Sequence, residues 1–214
     1  MEELGKTIWK QYATDAGQYQ TIDSVAGNII TGKTPSTKKP EYYGGVYPFV
    51  TIPDMHSSVW LCSTDRALSD LGNESQPKKL VPAGSVLVSC IATIGLVGLT
   101  AYPSHFNQQI NAVVPNRSGE EYYLYYALSA IKSKLLGIGA TGSATLNVNK
   151  AAFSSIEIPW PSSQQMRDYL HRVTPVFEAM KTRTIESIKL EQIRDALLPK
   201  LLSGQIDVSK VAVQ

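Results

Sequence analysis

Residues 27–34 read GNIITGKT, and the fold turns on whether that octet is a phosphate loop. It matches the pattern G-x-x-x-x-G-K-[ST] of a nucleotide-binding ATPase letter for letter. The chemistry behind the pattern needs a buried strand before the glycine, a cradle of backbone N–H groups, and a helix starting at the lysine. The preceding stretch, YQTIDSVA (19–26), is too polar for a buried parallel strand. Beyond Thr34 comes PSTKKPEYYGG (35–45), where Pro35, Pro40 and the pair Gly44-Gly45 interrupt any helix and no apolar helical period appears. The nearest carboxylate for magnesium, Asp54 in FVTIPD, directly follows a proline. An NTP-hydrolysing enzyme therefore stands only as the alternative reading of the octet.

Around it, residues 17–160 alternate short strand-like runs with Gly, Pro, Asn and Ser punctuation: YPFVTI (47–52), SVLVSCIA (85–92), LVGLTAY (96–102), INAVVP (110–115) and SSIEIPW (154–160). No Lys, Arg, Asp or Glu occurs from Leu80 to Asn116. That segment is nonetheless broken by Pro82, Gly84, Gly95, Gly98 and Pro103 and is rich in β-branched residues, so it reads as two buried strands and a tight turn at Thr93–Gly95, not as a membrane span. One helix is expected over 120–137, EEYYLYYALSAIKSKLLG, with Tyr123, Ala127, Ala130/Ile131 and Lys134/Leu135 at helical spacing and Gly137 as its stop. Strands with an inserted helix and no regular βα alternation make an α+β, mixed-sheet domain.

The pattern changes after Pro161. Ser162 with Gln165 three residues on is a capping-box start. Met166, Leu170, Val173, Phe177 and Met180 then follow at heptad spacing, and after a phase slip near Thr184 a second stripe runs Ile185/Ile188, Ile193, Leu197 and Leu201. This predicts a long coiled-coil-type helix over 161–204, bent or broken at Pro175 and Pro199 and ended by Gly204, with 205–214 as a tail. About 40 residues at 1.5 Å each make a rod of roughly 60 Å, so its seam is expected to meet a partner helix, unless it folds back on its own domain. Residues 1–16, with apolar Leu4, Ile8 and Trp9 in MEELGKTIWKQ, form a further helical segment.

Taken in order, ITGKTPS (30–36), EYYGGVYPFVTIPDM (41–55), LVPAGSVLVSCIATIG (80–95), FNQQINAVVP (106–115), GATGSATLNVNKAAFSSIEIPWPS (139–162) and QIRDALLPKLLSGQIDVS (192–209) resemble the specificity subunit of type I restriction-modification systems. The octet's glycine and threonine then belong to I-x-x-G-x-T-P-S, the motif that opens a target recognition domain in that family, and Lys33 completes a chance match. The resemblance implies recognition of double-stranded DNA without catalysis or a cofactor. It also implies docking of the modification subunit and, through it, the restriction subunit. A complete specificity subunit carries two recognition domains that read the halves of a split site, held apart by two antiparallel spacer helices. One domain and one helix fit either the C-terminal half of a longer subunit or a natural half-subunit that pairs with a copy of itself as a homodimer.

The residues themselves offer matching chemistry. Phosphates call for cations, and base edges for polar or planar groups. Ser36, Thr37, Lys38 and Lys39 with Tyr42 and Tyr43, the pair Lys78-Lys79, and the polar segment Thr141, Ser143, Asn147 and Lys150 are the candidate DNA-binding residues. For each lysine pair, an ordinary solvated turn is the competing reading. Asn107, Gln108 and Gln109 fit adenine edges, but bonding to backbone within the domain is favoured. The candidate subunit contacts are Met166, Leu170, Val173, Phe177, Met180, Ile188, Ile193, Leu197 and Leu201. His56, His105 and His171 are scattered and have no metal-ligand spacing. Asp54 has no partnered carboxylate, and no nucleophile elbow or S-adenosylmethionine fingerprint appears. Of 214 residues, 43% are hydrophobic, enough for one core, and the net charge of +2 alone demands no nucleic-acid partner. Two scattered cysteines, Cys62 and Cys90, and no leader point to the reducing cytoplasm. A coiled-coil adaptor with no DNA contact remains the other alternative.

Overall fold

The computed structural model describes residues 1–56, 58–140 and 146–205. Helix α1 (Glu2–Thr14) leads into β1 (Tyr19–Thr21), the single turn α2 (Ile22–Val25) and β2 (Ala26–Thr31). Then come β3 (Tyr43–Val50), β4 (Trp60–Leu61), β5 (Arg66–Leu68), α3 (Asp70–Glu74), β6 (Val86–Ser89), β7 (Val97–Thr100), β8 (His105–Phe106) and β9 (Ile110–Pro115). The chain closes with α4 (Glu120–Ala130), α5 (Lys132–Gly139), α6 (Lys150–Ser154), β10 (Glu157–Pro159) and α7 (Ser163–Leu202).

A five-stranded sheet, ordered β2-β9-β6-β7-β4, is antiparallel except for the parallel pair β4·β7. A three-stranded sheet, β5-β3-β8, is again mixed, and β1 pairs antiparallel with β10. The charge-free segment supplies β6 and β7, as its β-branched composition requires. Every residue of β6 is buried because both faces of the large sheet are covered. Val86 and Val88 face the helical layer, whereas Leu87 joins Val50, Phe106 and Ala112 in a second core. The fold is α+β with mixed sheets, as expected.

Helix α4 is the centre of the larger core. Residues Glu120 through Leu128 are all buried, so the helix is enclosed on every side instead of presenting one stripe. Its tyrosines reach partners at their polar ends: Tyr122 donates to Glu178 (2.6 Å), Tyr123 to the Pro159 carbonyl (2.9 Å) and Tyr126 to the Glu2 carbonyl (2.9 Å). The helix stops at Ile131, and α5 continues to Gly139. Gly137 thus lies inside a helix and does not end one.

Helix α7 starts with the expected capping box, Ser162 Oγ accepting from Gln165 N (3.3 Å) and Gln165 Oε1 from Ser162 N (2.9 Å). It runs unbroken for 40 residues through Pro175 and Pro199, so of the expected bend or break the break does not occur. Both prolines are exposed, so the carbonyls that lose an N–H partner at these positions remain open to water. The first heptad stripe also departs from expectation. Met166, Val173, Phe177 and Met180 are buried in the chain's own core, with Leu170 packed beside them. Phe177 stacks on Tyr122 with ring centroids 4.5 Å apart, and its carbonyl accepts from Trp60 Nε1 (3.0 Å). These five side chains contact their own domain and are not free to meet another subunit. Ile8 and Trp9 of α1 join the same core, whereas Leu4 stays exposed.

Candidate nucleic-acid interface

Strand β2 contains most of the octet and pairs antiparallel with β9. At its end Gly32 N donates to the Ile110 carbonyl (3.1 Å) and Lys33 N to the Phe106 carbonyl (3.0 Å). A Cβ on Gly32 would collide with the carbonyl oxygens of Phe106 and Asn107. The glycine is required by this close backbone approach, and carbonyls pack against it where a phosphate loop presents N–H groups. No helix starts at Lys33.

The loop that follows is fixed by side chains from several segments. Gln76 Nε2 donates to the Lys33 carbonyl (3.1 Å), Thr34 Oγ1 to Gln108 Oε1 (2.6 Å), and the Tyr43 hydroxyl to the Pro35 carbonyl (2.8 Å). Two residues before Lys33, the Thr31 carbonyl accepts from Lys79 Nζ (2.8 Å) and Thr31 Oγ1 donates to Asn111 (2.7 Å). Thr31 also lines a cavity of about 220 Å³ with Gln108, Asn111, Asn147, Asn149 and Lys150. The loop 33–39, the turn Pro77–Lys79 and the segment 147–150 thus meet at one end of the β2–β9 pair.

Of the residues singled out from sequence, Ser36, Thr37, Lys38, Lys39, Lys78, Asn147 and Lys150 are exposed here. Lys39 lies 3.1 Å from the Tyr42 hydroxyl and 5.0 Å from its ring, and this bond raises the lysine's pKa above its ordinary value. Two residues have more structural work than expected. Lys79 is half-buried on the Thr31 carbonyl, because that acceptor lies within reach of its stem, so Lys78 is the exposed member of the pair. Tyr43 is half-buried and shapes the loop through Pro35. Thr141 and Ser143 lie outside the described residues. Lys33, set aside as a chance match, is an exposed cation on the same rim.

Asn107 bonds within its own turn, Oδ1 accepting from Gln109 N (3.0 Å) and Nδ2 donating to Gln109 Oε1 (3.1 Å), which is the structural role favoured. Asp54 likewise caps its turn, accepting from Thr51 N (2.7 Å) and Asp65 N (2.9 Å). Behind the loop lies a polar group the sequence did not reveal. His105 is fully buried, with Nε2 2.9 Å from Asn73 Oδ1 and Nδ1 3.4 Å from Gln76 Nε2. Burial lowers its pKa to about 4, so it is neutral. Its partners sit 29 and 32 residues away in sequence, a separation at which no local pattern points to them. Among the described residues no three His, Cys, Asp or Glu side chains gather as a metal site.

A second exposed feature lies on α7. Beyond Lys189 the helix is exposed throughout, and Leu190, Ile193, Leu197, Leu198, Leu201 and Leu202 are 40–81% accessible. Ile188 is half-buried at the point of departure. No helix among the described residues is long and apolar enough to cross a membrane.

Residues 19–190 match the family model described as the type I restriction modification DNA specificity domain. The chain is 44% identical over 182 residues to the HindI specificity subunit of Haemophilus influenzae, covering 84% of this chain and 40% of that protein. It is 28% identical over 144 residues to the MjaIX specificity subunit of Methanocaldococcus jannaschii, covering 66% and 33%. The matched part of the chain therefore covers well under half the length of these relatives. Its fold resembles the HsdS subunit from Thermoanaerobacter tengcongensis (TM-score 0.59, 18% identity, 96% of this chain and 51% of that one). It also resembles the type I S subunit from M. genitalium (TM-score 0.62, 15% identity, 93% and 54%).

Proposed function

Since the chain belongs to the type I restriction-modification DNA specificity family, we propose that it is a non-catalytic module that reads one half of a split target in double-stranded DNA. In this reading residues 17–160 form the target recognition domain and residues 161–204 the spacer and dimerisation helix. Residues 1–16 are an accessory helix and residues 205–214 a tail. Ser36, Thr37, Lys38, Lys39, Tyr42, Lys78, Asn147 and Lys150 face DNA, joined by Lys33, while Tyr43 and Lys79 hold the loop in shape. Methyl transfer and cleavage reside in the modification and restriction subunits. The modification subunit docks on the outer half of α7 through Ile193, Leu197 and Leu201 with Leu190, Leu198 and Leu202. A second copy of the chain meets the same helix if the half-subunit pairs with itself. The assembly acts in the cytoplasm.

The observation that carries this reading is the convergence of three polar, cation-bearing segments at one end of the β2–β9 pair, on a loop clamped by side chains. Each phosphate neutralised contributes about −0.9 to the slope of log K against log salt. Titrating a labelled duplex against the chain, with and without the modification subunit, at several salt concentrations tests the reading. Lys38→Glu with Lys39→Glu is expected to weaken binding and to flatten the slope by about two. Salt-independent binding, or none under either condition, would overturn it.

A further inference from the structure

The loop 33–39 and the turn Pro77–Lys79 belong to different parts of the sequence, yet Gln76 joins them. The Gln76 side chain is 5% exposed, and its Nε2 lies 3.1 Å from the Lys33 carbonyl and 3.4 Å from His105 Nδ1. His105 Nε2 in turn lies 2.9 Å from Asn73 Oδ1, on α3 just before Gln76. The chain of bonds reads consistently in one direction. The histidine carries its hydrogen on Nε2 and donates to Asn73, and Nδ1 accepts from the glutamine amide. Turning the amide over would set Oε1 against two acceptors, the Lys33 carbonyl and Nδ1. Gln76 is therefore fixed as found, although its buried Oε1 has no hydrogen-bond partner among the described residues. An amide that leaves an acceptor unsatisfied while bridging a loop and a buried ring serves the geometry of the loop.

We infer that Gln76, backed by His105 and Asn73, is a positioning residue that sets the register between the loop 33–39 and the turn Pro77–Lys79, and so governs discrimination between DNA sequences more than grip on DNA. The inference rests on the proposed reading of this face as the DNA-contacting one. Its physical basis is a difference in tolerance. Attraction of Lys33, Lys38, Lys39 and Lys78 to phosphates survives shifts of an ångström, whereas hydrogen bonds to base edges need donor and acceptor at 2.7–3.2 Å. None of the four ammonium groups depends on Gln76 for its charge.

The test enriches preferred duplexes from a randomised pool with the full chain in complex with the modification subunit, then compares preferred with scrambled duplex. Gln76→Met and Asn73→Ala, which cut the bond chain at opposite ends, are each expected to lower that preference by about tenfold. Affinity for the scrambled duplex and the salt slope should stay at wild-type values. The double variant should lose no more than either single one, as members of one bond chain are not additive. Amide exchange in the free chain supplies a reading that needs no DNA: both variants should exchange faster at 33–39, with β6 and β9 unchanged. Wild-type preference in Gln76→Met, or losses that multiply in the double variant, would overturn the inference. Unchanged exchange at 33–39 would overturn the positioning claim whatever the DNA results. A wild-type complex with no preference among duplexes would sink the specificity role together with the DNA reading, and faster exchange alongside that result would assign the failure to the reading.

Discussion

His105 is neutral because of where it lies, and that has a measurable consequence. Its pKa falls from 6.5 to about 4 through burial, so between those values the unfolded chain binds a proton that the folded chain refuses. Its contribution to stability is complete above pH 6.5 and is lost as pH falls toward 4, at about 1.4 kcal/mol per pH unit and roughly 3 kcal/mol in all. Buried Glu120 and Glu121 have raised pKa values, mainly from desolvation, and act in the opposite sense, losing stability as pH rises. The difference between wild type and His105→Gln in urea unfolding at pH 7, 5.5 and 4.5 isolates the histidine. Wild type should lose its margin over the variant on acidification. Single residues were unevenly legible in the sequence. The exposed lysines and the octet's lack of phosphate-loop context could be read from local composition. What Gly32 accommodates, and which acceptor takes Lys79, depend on strands brought together from 75 and 48 residues away.

At the scale of elements, α7 is one helix in two environments. Phe177 is fully buried against Tyr122, while Leu197 is 41% exposed. Phe177→Ala should cost about 3–5 kcal/mol, and the change should register in the fluorescence of Trp60, which bonds the Phe177 carbonyl. Leu197→Ala in the isolated chain should stay within about 0.5 kcal/mol of wild type. Urea unfolding of both variants checks the contrast. Heptad spacing predicted the helix and its length, and Ser162 with Gln165 its capping box, because those are local properties. Spacing does not say which surface covers a seam, so the inner half appeared available to a partner when it belongs to the domain. The same limit applies to α4, whose tyrosines are enclosed by α1, the large sheet and α7.

For the whole molecule, the α+β class and mixed sheets followed from strands without βα alternation. The order of the strands did not, since β4·β7 and β3·β8 pair in parallel across long separations. Assembly is predicted to depend on the outer half of α7 alone. Leu190→Lys combined with Leu197→Lys and Leu201→Lys should leave the melting temperature of the chain within about 2 °C. The same variant should abolish the proposed capture of the modification subunit, and the proposed self-pairing, in sedimentation velocity. A complex of unchanged mass would refute that assignment. The continuity of α7 adds a mechanical property. From Phe177 to Leu201 the helix extends about 36 Å without interruption. It behaves as a lever pivoted in an aromatic socket, so a 10° tilt at the socket swings the far tip by about 6 Å. Whatever holds the tip therefore holds the orientation of the globule, and torque applied there reaches Tyr122 and Trp60 without passing through a hinge.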